Sequence, residues 1–449
     1  MYFIFSRNVF SLCLSVIAAA LPGVLSAETY YVAPDGDDGN PGTIAAPFAT
    51  VQRAHDNAAL QPGDVIYLRG GTYYPTQQTV FNKSGNAADY FVLSSYPGEV
   101  PVIDGEFVPE GDINHASTPT WAFLNAQYWK IKGPIHLTNG RGAGVIIDSS
   151  QFLEFDRVES SYNGKRAARA AHGFFIWSDS TSDILFTNCD GHHNANHLWK
   201  SGEDQLLNQY QHGDGWRIFG GTNIRLIGCR AWHNLDDGYD FTQAHYSVEM
   251  TGCWAAYSGI DDADGSITGT PNRPMLRWEG DGIKLGYPDD IGQHRAIRCL
   301  SWNNHSHGWT VRGGPYVIYN SAAVNSEEEA FSGFGNNAAN IRRNTYGYLN
   351  RVGDGGGADD YTSITVSQTD FVSLDDAGML GPRRSDGGLP EPDFLKPAPG
   401  SVLIDAGVDV GIPYEGSAPD IGPFEYTIGA SSHVFSDGFE SGTTGAWQN

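Results

Sequence analysis

Asn234-Leu235-Asp236-Asp237-Gly238-Tyr239-Asp240-Phe241 is one copy of a pattern the chain repeats: a polar residue and a Gly, then a short run alternating apolar with polar. Anchored on that Gly, copies begin at Gly173, Gly215, Gly238, Gly282 and Gly308, with Ala330 in the sixth place, at intervals of 42, 23, 44, 26 and 22 residues. The unit is therefore 22 to 26 residues, and two units carry an insertion. After the anchors come Trp216-Arg217-Ile218-Phe219, Tyr239-Asp240-Phe241, Ile283-Lys284-Leu285, Trp309-Thr310-Val311-Arg312 and Phe331-Ser332. Period two marks a strand. Each unit continues through a second apolar run, such as Ile224-Arg225-Leu226-Ile227, to a column that reads Cys189, Cys229, Cys253, Cys299, Asn320. Five residues further on, a second column reads Asn194, Asn234, Ser258, Asn304, Asn325.

Units this short, with several strands and no amphipathic helix, cannot bury an apolar face singly but can do so by stacking. The predicted fold is all-β, a right-handed parallel β-helix. A propeller blade needs nearly twice the unit, and the Leu framework of a leucine-rich solenoid is missing. Successive rungs lie about 4.8 Å apart, so each column becomes a physical ladder. The Cys ladder is expected to pack as free buried thiols, because in-register stacking holds Cβ atoms wider than a disulfide requires. Residues 47–59 place Phe48, Val51, His55 and Ala58 at helical spacing behind Pro47, which predicts a short helix capping the N-terminal end.

Composition agrees with turn-rich β structure: 449 residues include 56 Gly, 22 Phe, 22 Tyr and 11 Trp but only 4 Met. With 27 Lys+Arg against 52 Asp+Glu the formal charge is −25, which excludes capture of nucleic acid through its phosphates. A polyanionic partner would have to be met through a cation. Residues 1–27, with Arg7, an apolar run over 9–21 and Leu25-Ser26-Ala27, read as a secretory signal peptide. No later stretch is apolar enough to span a bilayer, so a secreted (extracellular or periplasmic) monomer is expected. The domain reading is a β-helix with its N-terminal cap over 28–352, an irregular C-terminal cap over 353–430 and a mobile tail over 431–449.

Alternation sends Trp216, Tyr239, Ile283, Trp309 and Phe331 into the coil and leaves Arg217, Asp240, Lys284, Thr310 and Ser332 facing out. The column before each Gly reads Asp214, Asp237, Asp281, His307, Glu329, and Asp236 adds a further carboxylate. Asp214, Asp236, Asp237 and Asp240 thus converge within two rungs. Like charges that close repel unless neutralised, and Ca²⁺, with six to eight oxygen ligands and loose geometry, suits such a set. Lys284 lies one rung beyond. Flanked by a cation and by Arg312, its ammonium form would be disfavoured, and a Lys of lowered pKa is a competent general base. A cation and a base beside a uronate are the equipment for β-elimination.

His212-Gly213-Asp214-Gly215, Asn234-Leu235-Asp236-Asp237-Gly238-Tyr239-Asp240 and Gly280-Asp281-Gly282-Ile283-Lys284-Leu285-Gly286 together resemble the family 9 polysaccharide lyases, pectate lyases with a right-handed β-helix. Tyr30-Tyr31-Val32-Ala33-Pro34-Asp35-Gly36 and Leu403-Ile404-Asp405-Ala406-Gly407 carry the likeness to the two ends, though these motifs are common to many secreted β-helices. The resemblance implies a catalytic Ca²⁺ on Asp214, Asp236, Asp237 and Asp240, and Lys284 as the base that takes the C5 proton of galacturonate in an acidic polysaccharide. His307 departs from the pattern. It, Arg217, Arg312, and Arg277 and Trp278 in the second insertion are candidate substrate contacts, while Arg217 could equally balance the Asp cluster.

Two other readings stand beside this one: an inverting glycoside hydrolase using Asp214, Asp237 and Asp240 as acid and base, and a non-catalytic carbohydrate-binding or adhesion β-helix. The first leaves Lys284 without a chemical task. Asp35-Gly36-Asp37-Asp38-Gly39-Asn40 and Asp261-Asp262-Ala263-Asp264-Gly265 look like calcium loops but are read as turns, lacking a distal bidentate Glu.

Overall fold

The computed structural model describes residues 27–109, 118–164, 171–195, 213–260, 280–287, 292–351 and 364–427. Nearly all of the signal segment and the tail from 431 lie outside the described residues, as do Arg277, Trp278 and the loop 261–265.

Three ladders of parallel strands wind into one coil. The first runs from Thr29–Val32 through Val65–Leu68 and Phe91–Ser95 to Val317–Tyr319 and Ile341–Arg343. The second runs from Gly71–Tyr73 through Asp190–His192, Arg230–Trp232 and Leu300–Trp302 to Tyr346–Tyr348. The long strands Gln127–Thr138 and Gln151–Ser161 belong to both. The third has nine strands, from Thr79–Phe81 to Phe331–Ser332. The right-handed β-helix expected from the repeats is therefore the fold, with three more strands of the third ladder N-terminal to the first repeat recognised.

Register in the third ladder follows the Gly anchors. Phe174, Trp216, Tyr239, Ile283, Trp309 and Phe331 pair in consecutive strands, all fully buried. Phe174 stacks on Trp216 at 4.8 Å between ring centroids and Trp216 on Tyr239 at 5.1 Å, and burial of each such ring stabilises the coil by roughly 1.5–3 kcal/mol. The anchors are Gly because adjacent backbones press together there: a Cβ on Gly238 would stand 2.6 Å from the Gly282 carbonyl oxygen. Ala330 is tolerated because it precedes the last strand of the ladder.

Two columns are displaced by one residue from the sequence reading. Pairing of Leu300 with Ala322 and Trp302 with Val324 puts Ser321 beside Cys299 and Ser326 beside Asn304. Asn320 and Asn325 instead precede those columns at φ 46° and 53°, in line with Arg298 at 52° and Asn303 at 55°. Asn suits the left-handed conformation, and that preference imitated the ladder. The true Asn ladder begins earlier, where Asn163 Nδ2 donates to Asn194 Oδ1 at 2.8 Å and Asn194 Nδ2 to Asn234 Oδ1 at 3.0 Å. All four described cysteines are buried free thiols.

The capping helix is shorter than expected, Val51–His55, with Thr50 as its N-cap. Phe48 instead bridges to Val32, and Asp38 holds the entry by accepting the amides of Ala49 and Thr50 at 2.9 Å. In the loop 35–40 Asp37 likewise accepts the Gly39 amide at 2.7 Å, so these two carboxylates are used internally. At the other end, 364–427 is irregular and lies along the outer face of the second ladder. Phe371, Met379, Phe394, Leu403 and Ile421 pack there on Trp254 and Trp302. Asp376 Oδ2 accepts from Tyr257, Trp302 and Asn303 at 2.6, 2.7 and 3.1 Å. Asp190, clasped by Arg230 and Arg383, is held well below the usual carboxylate range by those charges in spite of its burial.

His294 is buried between Phe241 and Tyr316, its Nδ1 accepting the Val248 amide at 3.2 Å and its Nε2 without a partner. Burial lowers its pKa to about 3. The folded state then binds fewer protons than the unfolded one below the ordinary value of about 6.5, so stability is complete above that pH and declines as pH falls toward 3. Thermal melts across pH 7 to 4 should show this slope flattened in His294→Gln; parallel slopes would refute it.

Candidate active site

The outer face of the third ladder carries the expected columns. Phe175, Arg217, Asp240, Lys284 and Thr310 pair in consecutive strands. Beside them the column before each anchor forms a staircase: Asp214 Oδ1 accepts the Asp237 amide at 3.0 Å, Asp237 Oδ1 the Asp281 amide at 2.8 Å, and Asp281 Oδ1 the His307 amide at 3.0 Å. One oxygen of each Asp thus fixes the next rung.

Asp214, Asp236 and Asp237, all buried, each present an oxygen within 4.8 Å of the others, an arrangement that could hold a metal ion. Asp214 Oδ2 is inaccessible and makes no hydrogen bond. His172 Nδ1 stands 3.1 Å away and, with Arg217 at 3.6 Å, holds Asp214 below the usual carboxylate range against burial. Asp237 is pushed well above the usual carboxylate range, by burial first and then by Asp236, with Lys284 opposing. A carboxylate oxygen sealed from solvent and a neighbouring carboxyl that burial and Asp236 drive toward neutrality both describe a place that a cation would satisfy. An all-oxygen donor set fits a hard ion such as Ca²⁺.

Asp240, the fourth aspartate of the expected ligand set, adjoins that trio. Its Oδ2 takes the Arg217 guanidinium and lies 3.8 Å from Lys284 Nζ, while its Oδ1 takes the amide and hydroxyl of Thr242. Arg217 and Lys284 hold it below the usual range against burial. Arg217 is accordingly a counter-charge, 3.6 Å from Asp214 as well.

Lys284 leans back across the face. Its backbone pairs with Asp240, yet Nζ donates to Asp237 Oδ2 at 3.0 Å, with the side chain 19% exposed. Among the protein's own charges its pKa is raised; the lowering expected from the sequence is for the cation-bound site. Burial disfavours the ammonium, but Asp237, Asp240, Asp236 and Asp281 outweigh it, and Arg312 is exposed, one rung on and beyond Thr310. His307 is brought to the site, its Nδ1 2.9 Å from Asp281 Oδ1, and with burial opposing it holds that carboxyl at about 2. The sequence reading missed His172, whose rung precedes Asp214, and Thr242. An extension of the pre-Gly column by one rung would have found the first.

A family model described as Pel9A-like, right handed beta helix region, matches residues 30–344. The chain belongs to that Pel9A-like family. It is 30% identical to pectate lyase PEL9 of Emericella nidulans over 86% of this chain and 96% of the relative, and 30% identical to pectate lyase L of Dickeya dadantii over 90% and 92%. The crystal structure of pectate lyase Pel9A superposes with a TM-score of 0.71 at 27% identity, covering 90% of this chain and 98% of that one. As a member of the Pel9A-like family the protein is an enzyme, a polysaccharide lyase.

Calcium added to metal-stripped protein should raise its melting temperature by mass action. Asp237→Asn should weaken calcium affinity in a calorimetric titration, and an unchanged isotherm would remove Asp237 from the ligand set.

Proposed function

We propose that the protein is exported and cleaves polygalacturonate by calcium-dependent β-elimination, with Lys284 as the base. The observation that carries this reading is the placement of Lys284 Nζ 3.0 Å from Asp237, on the edge of the carboxylate trio and partly exposed. Pectate is what the curated relatives' names give as their substrate. Asp214, Asp236 and Asp237 would hold the ion, with Asp240 adjoining. Bound Ca²⁺ would neutralise those charges, relieve the field that keeps Lys284 protonated and draw density from a uronate carboxylate, making the C5 proton more acidic.

The chain's own residues supply the rest. Arg217 keeps Asp240 ionised and pinned, and Thr242 fixes its other oxygen. The staircase holds the aspartates one rung apart, so the base and acidic trio arrive pre-positioned and little order is lost on binding. Neutral Lys284 Nζ takes the C5 proton, the C4–O4 bond breaks, and the product carries a C4–C5 double bond at its new non-reducing end. A hydrolase reading would leave this lysine unused.

Polygalacturonate incubated with the protein should gain ultraviolet absorbance from the conjugated double bond. A calcium chelator should abolish the gain, and added Ca²⁺ should restore it. Lys284→Ala should lower kcat by about 10²- to 10⁴-fold with calcium binding intact. New reducing ends without absorbance would favour hydrolysis, and inertness toward every uronan would favour a binding protein.

A further inference from the structure

Elimination needs two proton positions. Lys284 accounts for the proton removed, and the departing O4 must receive one. We infer that His307, held by Asp281, is the proton donor to the leaving sugar oxygen, an assignment that rests on the β-elimination reading.

The geometry is that of an oriented imidazole. His307 Nδ1 donates to Asp281 Oδ1 at 2.9 Å, and the same oxygen accepts the His307 amide at 3.0 Å, so the ring is fixed at both its backbone and one nitrogen. Ser306 Oγ lies 2.9 Å from that same Nδ1. No hydrogen bond to Nε2 is found among the described residues, and the side chain is 26% exposed. Such a carboxylate–imidazole pair sets the tautomer and supports the charged form at the free nitrogen.

Placement relative to the base is equally specific. Lys284 Nζ bonds Asp237, and His307 bonds Asp281, the next carboxylate of the same staircase. The base and the proposed acid therefore contact consecutive carboxylates of one staircase, Lys284 from the strand Ile283–Leu285 and His307 from just ahead of the next strand, Trp309–Val311. Although burial alone would strip its charge, Asp281, Glu329 and Glu328 raise the His307 pKa, so the imidazolium is available.

The step balances without a co-reactant. Lys284 Nζ gains the C5 proton, the C5–H electrons form the C4–C5 π bond, the C4–O4 bond breaks with its pair on oxygen, and O4 takes the proton from His307 Nε2. Solvent then returns both groups to their starting states.

The test measures kcat, KM, calcium affinity and melting temperature of the full-length protein on polygalacturonate. His307→Asn should lose about 10²-fold or more in kcat, with KM within about threefold of the unsubstituted enzyme and unchanged calcium binding. Asp281→Asn, which keeps the oxygen that accepts the His307 amide, should also lose kcat with little effect on KM. A staircase cap of purely structural importance would instead move melting temperature or calcium affinity. If His307→Asn lowers the melting temperature, His307→Gln replaces it. A kcat within about threefold of the unsubstituted enzyme, or a loss confined to KM, overturns the assignment while leaving β-elimination standing. An unsubstituted protein inert on all uronans overturns the elimination reading itself.

Discussion

The bond from an aspartate side chain to the amide of the following rung is the constraint on which the site depends. Asp214, Asp237 and Asp281 each spend one oxygen in this way. The bond closes the entry to three strands of the third ladder, Tyr239–Asp240, Ile283–Leu285 and Trp309–Val311, where the Gly anchor leaves no room for a side chain. It also stacks carboxylates at the rung spacing, a distance at which unneutralised charges repel strongly. One interaction therefore both fixes the register and creates the demand for a cation.

Neighbouring charges show how the fold contains that demand. Asp240 is answered by Arg217, Thr242 and the nearby Lys284, and Asp281 by His307. Asp237 stays raised by burial and Asp236 even with Lys284 beside it, next to an Asp214 Oδ2 sealed from solvent. Balanced aspartates flank an unbalanced cluster, which marks where an ion belongs more sharply than the total charge of the chain does. The buried pair of Arg230 and Asp190 with Arg383 is the opposite case: fully answered, far from the cleft face, and used to fasten the C-terminal segment to the second ladder.

Rigidity of the site is inherited from beneath it. The Asn ladder through Asn163, Asn194 and Asn234 fixes the turn immediately before Asp236 and Asp237, and the stacked rings of Phe174, Trp216 and Tyr239 support the strand floor from inside. Side chains so held lose little freedom when substrate or ion arrives, which is where a solenoid gains over a loop-built site.

The period of the repeats, the inward phase of the aromatic column and the alignment of Asp214, Asp237, Asp281 and Lys284 were legible in the sequence, because β-stacking converts a linear offset into a spatial neighbour. Asn320 and Asn325 misled by one residue, since αL turns favour the same amino acid as the ladder. Tertiary structure alone decided how the oxygens divide. Asp240 turns to Arg217, Lys284 reaches diagonally to Asp237 and is charged there, and His172 comes from the preceding rung. The irregular C-terminal segment likewise lies along the coil's side, because the exposed Trp face of the second ladder needed cover. Rotamers and the sum of surrounding charges fix these choices, and neither has a period that a sequence can display.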